Sequence, residues 1–191
     1  MSLTLIIVLV VVLVIGLYAG AIYNNLVRLK HQVAKAWSNI DVILKQRHDE
    51  LPNLVAVCRE YMSYEQETLQ RVTEARSAVS SARQRGDVRG LGQAEEALRG
   101  GLDRLFALAE NYPDLKANAS FQQLSQRISY LEDSIADRRE LYNDSVNVNN
   151  MRIEQLPDLL IARLFTFKPF ELLEFAEARA AVDVRGLFGR H

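Results

Sequence analysis

The first 27 residues, Met1 to Val27, contain no charged side chain, and this feature constrains the chain more than any other. Within them, residues 3–22 read LTLIIVLVVVLVIGLYAGAI, where only Thr4 and Tyr18 carry polar side chains. A helix rises about 1.5 Å per residue, so a segment of this length covers roughly 30 Å, the thickness of the hydrocarbon core of a bilayer. The sequence therefore predicts an N-terminal transmembrane helix that lies in the lipid bilayer.

A retained membrane anchor and a cleaved signal peptide are the two interpretations of this segment. Ala19-Gly20-Ala21 resembles a cleavage site, but no basic region precedes the segment, and its apolar run exceeds the usual length of about 7 to 15 residues. These features favour a retained anchor. Gly16 and Gly20 form a GxxxG pattern, which predicts membrane helix packing against a second copy. Small residues are also common in transmembrane helices that do not pair.

The basic residues near the anchor lie on one side of it. Those that follow it are Arg28, Lys30, Lys35, Lys45 and Arg47, with Asp41 as the only acidic residue before Asp49. Segments rich in Lys and Arg stay on the cytoplasmic side of a membrane. We therefore expect a single-pass protein with its N-terminus outside and its body in the cytoplasm.

The remainder of the chain is polar and balanced in charge. The whole chain has 23 Lys and Arg residues against 24 Asp and Glu residues, a net charge of -1 at pH 7, so charge gives no reason to expect nucleic-acid binding. Apolar positions recur every three or four residues, as in amphipathic helices. The main stripes contain Val33, Trp37, Ile40, Leu44, Arg47 and Leu51; Leu98, Leu102 and Leu105; and Phe121, Ile128, Leu131, Ile135, Arg138 and Tyr142. This pattern predicts an all-α fold, with an N-terminal transmembrane helix followed by an elongated antiparallel helical body of bundle or coiled-coil type.

Helix breakers predict where the helices begin and end. Pro52 either bends one long helix or begins a second one. Residues 85–92 contain three glycines and predict a loop, and Pro157 predicts the end of the fourth helix. Ser120, three residues before a glutamine, matches a capping box, so we expect that helix to start near Asn118 to Ser120. The predicted regions are an anchor over 1–27, a cytoplasmic helical bundle over 28–157, and a C-terminal tail over 158–191.

The tail is rich in phenylalanine. Five of the seven Phe residues of the chain lie there, namely Phe165, Phe167, Phe170, Phe175 and Phe188. Three roles stay open for them: the tail folds back over its own bundle, it contacts a neighbouring subunit, or it touches the membrane surface. The second role makes Phe165, Phe167, Phe170 and Phe175 candidate oligomer contacts.

The sequence contains no pattern that predicts catalysis. It has neither a Glu-x-x-His pair of the kind that builds di-iron sites in helix bundles nor an HExxH zinc motif. Cys58 lies on an apolar stripe, where a buried structural thiol is expected rather than a nucleophile. We therefore predict no catalytic residue, no metal ligand and no cofactor.

Several ordered strings resemble the pattern of the LemA family. The first is AWSNIDVILKQR at residues 36–47, followed by LPNLV at residues 51–55 and VTEAR at residues 72–76. Later strings are YPDLKAN at residues 112–118, Ile135-Ala136, Arg139, Tyr142-Asn143, Leu156-Pro157 and LFTFK at residues 164–168. The motif residues that we single out are Trp37, Asp41, Arg47, Pro52, Asn53, Arg139, Tyr142 and Asn143. A structural role is expected for all eight, and a role in assembly is the alternative.

The resemblance implies a bacterial inner-membrane protein with one N-terminal helix, a LemA-like four-helix bundle, and no established enzymatic activity. Genes of this family often neighbour those of membrane metalloproteases. Our leading hypothesis is a non-enzymatic, membrane-anchored scaffold that forms a homo-oligomer. The alternative is an adaptor or regulator of a membrane-embedded protease, with that metalloprotease or another envelope protein as its partner.

Overall fold

A computed structural model describes residues 3–174 of the chain, and this part contains six helices and no strand. The helices are α1 (Leu3–Tyr61), α2 (Gln66–Arg85), α3 (Val88–Ala109), α4 (Pro113–Ala117), α5 (Ala119–Glu154) and α6 (Asp158–Leu164). Residues 165–174 have no helical or strand structure. The predicted all-α helical bundle is confirmed. Phe175 and Phe188 lie outside the described residues.

The helix α1 continues through Pro52, so this proline lies inside one long helix and does not begin a second one. A proline inside a helix removes one hydrogen bond of the backbone ladder. Leu51, Leu54 and Val55 around it are buried, and this apolar packing compensates for the missing bond.

The connection between α2 and α3 is shorter than the sequence predicts. Gly86 alone ends α2 in the left-handed conformation (φ 66°), which glycine adopts without steric cost. The Asp87 side chain then caps α3 by accepting a hydrogen bond from the Gly90 N–H (2.8 Å). Gly92 is buried inside α3, where a Cβ atom would lie 2.2 Å from the Glu174 carbonyl oxygen. The predicted loop over 85–92 is therefore wrong, because Asp87 supplies a cap and Gly92 permits a close backbone contact.

Two further details of the sequence interpretation are corrected by α5. Helix α5 begins at Ala119, within the predicted start over residues 118–120, but the residue that caps it is Asn118 and not Ser120, because the Asn118 Oδ1 accepts a hydrogen bond from the Phe121 N–H (3.1 Å). Arg138 is exposed, although its position continues the apolar stripe. The core instead steps from Ile135 to Tyr142, two full turns later.

The described residues form two compact units. The first contains residues 3–38 and 140–171, and the second contains residues 39–139 and 172–174. Buried apolar side chains of the first unit include Ile22, Leu26, Val33, Val146, Ile153 and Ala162. Those of the second unit include Ile40, Leu44, Leu54, Met62, Val72, Leu91, Leu98, Leu102, Leu105, Ile128 and Leu131. The predicted division into anchor, bundle and tail is a different partition and stays a prediction.

Candidate functional site

The N-terminal part of α1 exposes its apolar side chains. Within α1 an 18-residue window has a mean hydropathy of 3.1, and only 6% of that window is buried. By length and composition, this is the one helix of the described residues that could cross a membrane. Gly16 and Gly20 lie on it, and a Cβ atom at either position would meet nothing within 4 Å. The surface that the GxxxG pattern predicts for helix packing is thus open, and its partner stays a prediction.

An aromatic cluster lies directly after this apolar segment in the first unit. The ring of Tyr23 lies 4.7 Å from that of Phe165 and 6.0 Å from that of Phe167, measured between centroids. Phe167 also packs against the small core of Ile22 and its neighbours, whereas Phe165 stays 52% exposed. Phe167 therefore covers its own chain, and Phe165 has free apolar surface.

Hydrogen bonds from α5 hold the segment that carries these phenylalanines. The Asn150 Nδ2 donates to the Phe170 carbonyl oxygen (2.9 Å), and the Asn150 Oδ1 accepts from the Phe170 N–H (3.0 Å). The Tyr142 hydroxyl donates to the carbonyl oxygen of Glu171 (2.9 Å), and its ring contacts that of Trp37 with centroids 5.3 Å apart. Two of the motif residues, Trp37 and Tyr142, thus position the tail segment within the first unit.

An apolar patch lies at α6 and the residues that flank it. Its members are Leu156 (72% exposed), Leu160 (64%), Leu164 (72%) and Phe165. Leu160 and Leu164 are one turn apart and share a face of α6. The other side of α6 is fixed to its unit, because Ala162 is buried and Asp158 forms an ion pair with Arg152 (3.0 Å). Apolar side chains that are exposed in this way mark an interaction surface.

A cleft of about 510 Å³ lies in the same unit, beside the aromatic cluster. Its walls are formed by Tyr23, Val27, Lys30, His31, Asn149, Phe165, Thr166, Phe167, Lys168, Pro169 and Phe170. Two lysines and one histidine line it, and no acidic residue does so within residues 3–174. Its mixture of aromatic walls and a few polar groups is typical of a ligand site.

The second unit contains a buried charge network around Arg47. The guanidinium of Arg47 donates to both carboxylate oxygens of Glu95 (2.5 Å each) and to Glu132. Arg47 and Glu95 are almost completely buried. Burial lowers the pKa of Arg47, but the two carboxylates raise it more, so that the net shift is upward. Burial also raises the pKa of Glu95, and the nearby charge of Glu132 adds to that shift while Arg47 opposes it.

The remaining motif residues lie at several places in the fold. Asp41 forms an ion pair with Arg83 (3.5 Å), and Arg139 lines a cleft of about 80 Å³ together with Glu95 and Glu132. Pro52 and Asn53 are exposed on α1, and Asn143 is half-buried on α5. These residues do not converge on one site, so the structure separates a packing group in the first unit from a charge group in the second.

Sequence reasoning did not identify Glu95, Glu132 or Lys168. A signal for Glu95 was present, because it falls in the stripe of Leu91, Leu98 and Leu102, where an apolar residue is expected. An apolar stripe that contains a glutamate, together with a second apolar stripe that contains an arginine, is the pattern expected for a buried ion pair such as Arg47–Glu95.

The fold and these features define a class of protein: an all-α bundle that carries one N-terminal helix of membrane-spanning length. The chain belongs to the LemA family, whose model matches residues 36–185. It is 32% identical over 135 residues to Protein LemA of Metamycoplasma hominis, a match that covers 68% of this chain and 58% of the relative.

Two further relatives are magnetosome proteins. The chain is 25% identical to Magnetosome protein MamQ 2 of Paramagnetospirillum magneticum over 80% of its own length and 64% of the relative. It is also 25% identical to Magnetosome protein MamQ of Magnetospirillum gryphiswaldense over 78% of its own length and 63% of that relative. The chain thus spans less than two thirds of the length of each of these relatives, and none of their names designates an enzyme.

Proposed function

We propose that this protein is a non-enzymatic scaffold, anchored in the bacterial inner membrane, that associates with copies of itself. The observation that carries the proposal is the apolar patch, in which Leu160 and Leu164 are both more than half exposed on a helix whose opposite side is fixed. Keeping such side chains in water is unfavourable, so burial against another molecule stabilises them.

A second copy of the chain is the occupant that the anchor favours. The same unit that carries the patch also carries Gly16 and Gly20, around which no side chain of the described residues lies within 4 Å. Small residues at this spacing let two membrane helices approach closely. Because each copy presents both surfaces, a symmetric dimer or a larger closed assembly can bury both.

The chemistry of the buried polar groups supports a non-enzymatic role. Burial raises the pKa of Cys58 to about 11, so its thiol is protonated at neutral pH and is a poor nucleophile. Each of the two Arg47 terminal nitrogens donates to a carboxylate, as expected for a group that holds helices together.

The topology that we propose places the C-terminal body in the cytoplasm. It rests on the three cationic residues Arg28, Lys30 and Lys35, which follow the apolar segment before any acidic residue. A reporter that is active only in the periplasm, fused after His191, should be inactive. An active reporter would reverse the proposed orientation and would leave the self-association proposal intact.

The proposal is tested by the mass distribution of the full-length protein extracted with its native lipid. We expect a discrete homo-oligomer, and the double variant Leu160→Ser/Leu164→Ser should lower its subunit number while helicity is unchanged. The matched control Leu141→Ser/Val148→Ser changes two exposed apolar residues of α5 in the same unit and should have no effect. A monomeric wild-type protein would contradict the proposal and favour the adaptor of a membrane-embedded protease.

A further inference from the structure

The cleft of the first unit has the charge and the lining of a site for an amphipathic anion. Lys30 and Lys168 both line it, and neither has an acidic partner within residues 3–174. The much smaller cleft beside Glu95 in the second unit is lined by charges of both signs. Two cationic side chains that line an otherwise largely apolar cleft attract a ligand with one anionic group and an apolar remainder.

The cleft lies close to the end of the apolar segment of α1. Tyr23 follows directly on the apolar segment, where tyrosine favours the interface between membrane and water. Lys30 lies eight residues after Ile22, about 12 Å further along the helix. Side chains of a helix lean toward its N-terminus, and long lysine side chains can extend toward a membrane interface, so Lys30 is within reach of a headgroup layer if the apolar segment spans a bilayer.

The wall of the cleft that carries Lys168 is held in a fixed conformation. Thr166 has a φ of 53°, in the left-handed region that β-branched residues rarely adopt. Such a conformation persists only where the surrounding structure imposes it, and it is frequent at ligand sites. Here both neighbours of Thr166, Phe165 and Phe167, contact the ring of Tyr23. Lys168 is therefore presented from an ordered wall.

We propose that this cleft binds the phosphate headgroup of an anionic phospholipid. Lys30 and Lys168 donate charge-assisted hydrogen bonds to the phosphate oxygens, and the His31 ring N–H adds a third donor. Phe165 and Tyr23 contact the first carbons of the acyl chains. The proposal rests on the proposed membrane anchoring; it shares Phe165 with the apolar patch but does not require a second copy of the chain.

The test is a lipid titration of the full-length, detergent-solubilised protein, with bound lipid counted by native mass spectrometry. Phosphatidylglycerol should bind about tenfold more tightly than phosphatidylcholine, and Lys30→Gln/Lys168→Gln should remove that preference. The variant Lys30→Arg/Lys168→Arg should keep it, since arginine also binds phosphate. The matched control Arg28→Gln/Lys35→Gln removes two positive charges, as the cleft variant does, but from positions on α1 that do not line the cleft. It should weaken phosphatidylglycerol binding by less than about threefold.

Three results would overturn the proposal. If the cleft variant and the control variant lose phosphatidylglycerol affinity to the same extent, the overall positive charge of the surface attracts the lipid and the cleft does not. Unchanged binding in the glutamine pair would exclude the cleft. Soluble glycerophosphoglycerol that binds as tightly as phosphatidylglycerol would identify a site for a free phosphate ester rather than for a lipid. Circular dichroism of each variant checks that the helices are intact, and the subunit number tests self-association separately.

Discussion

The two units use the same long helices, α1 and α5, in opposite ways. In the second unit, leucines such as Leu102 and Leu105 are buried, and the charges of Arg47 are paired in the interior. In the first unit, leucines such as Leu160 are exposed, and Lys30 faces a cleft without an acidic partner among the described residues. Both units consist of helices, so the difference between them lies in which side chains are apolar or charged at the buried and exposed positions. The second unit thus pairs its buried charges in its interior, whereas the first exposes the apolar and basic side chains on which the two proposals rest.

The largest effect should come from removing the buried cation of the second unit. Arg47→Met leaves the carboxylates of Glu95 and Glu132 without a partner, and breaking such a buried pair costs about 3–5 kcal/mol in the free energy of unfolding. Guanidinium unfolding of the detergent-solubilised protein, followed by circular dichroism, measures it. The control Arg71→Met breaks the exposed pair with Glu67 and should cost less than about 1 kcal/mol. Similar losses in both variants would remove the distinction between interior and surface charge.

A leucine pair tests the contrast in apolar packing directly. Leu105→Ala creates a cavity in the second unit and should lower the free energy of unfolding by about 2–5 kcal/mol. Leu160→Ala in the first unit removes a side chain that is exposed within a single copy, and in a detergent that separates the copies it should change the free energy of unfolding by no more than about 0.5 kcal/mol. The same denaturant titration compares them. A large loss for Leu160→Ala in the monomeric protein would show that α6 packs as a core element.

A smaller and local effect is expected for the bonds that hold the tail segment. Asn150→Ala removes both hydrogen bonds to Phe170, and leaving these backbone groups without partners costs about 1–3 kcal/mol. Hydrogen exchange at the Phe170 amide should become faster, while exchange in α2 and α3 is unchanged. Asn147→Ala, at an exposed position three residues earlier on α5, is the control. Unchanged exchange at Phe170 would mean that ring packing alone holds the segment.

The smallest effect concerns the pH dependence of stability and comes from His48 in the second unit. Burial lowers the pKa of His48 below its ordinary value of 6.5, and the adjacent Arg76, which donates to the His48 Nε2 (2.9 Å), lowers it further. The unfolded chain therefore binds the proton more readily, so this contribution to stability is complete above about pH 6.5 and is lost as the pH falls. His48→Gln should flatten the dependence of unfolding free energy on pH between about 7.5 and 5.5. An unchanged pH dependence in His48→Gln would contradict this assignment.

The sequence predicts the helices and much of the core because both follow from local periodicity. The periodicity predicts one buried stripe on α1, and its members Ile40, Leu44, Arg47 and Leu51 are all buried. The length of α1 could not be predicted, because a proline can bend a helix or begin one, and only the packing around Pro52 decides. The predicted loop over residues 85–92 is wrong for a similar reason. Gly92 is required by its close contact with the backbone of Glu174, which lies 82 positions later in the sequence.

The candidate site was much harder to predict than the fold. Glu95 lies 48 positions from Arg47, so no local pattern joins them. The cleft combines residues near Lys30 with residues near Lys168, and the sequence contains no signal that α5 holds the second segment beside the first. The resemblance to a family identified Trp37 and Tyr142 as motif residues, but their contact is a property of the folded chain.

The way in which Asn150 holds Phe170 has a consequence for how this region can evolve. The amide group binds the peptide N–H and C=O of residue 170, which every amino acid except proline provides in the same form. Mutations in the segment can therefore change its side chains while its attachment to α5 is preserved. Related chains can therefore vary the side chains of this segment through substitutions that leave the bundle intact, and a designer could exchange the same residues without detaching the segment.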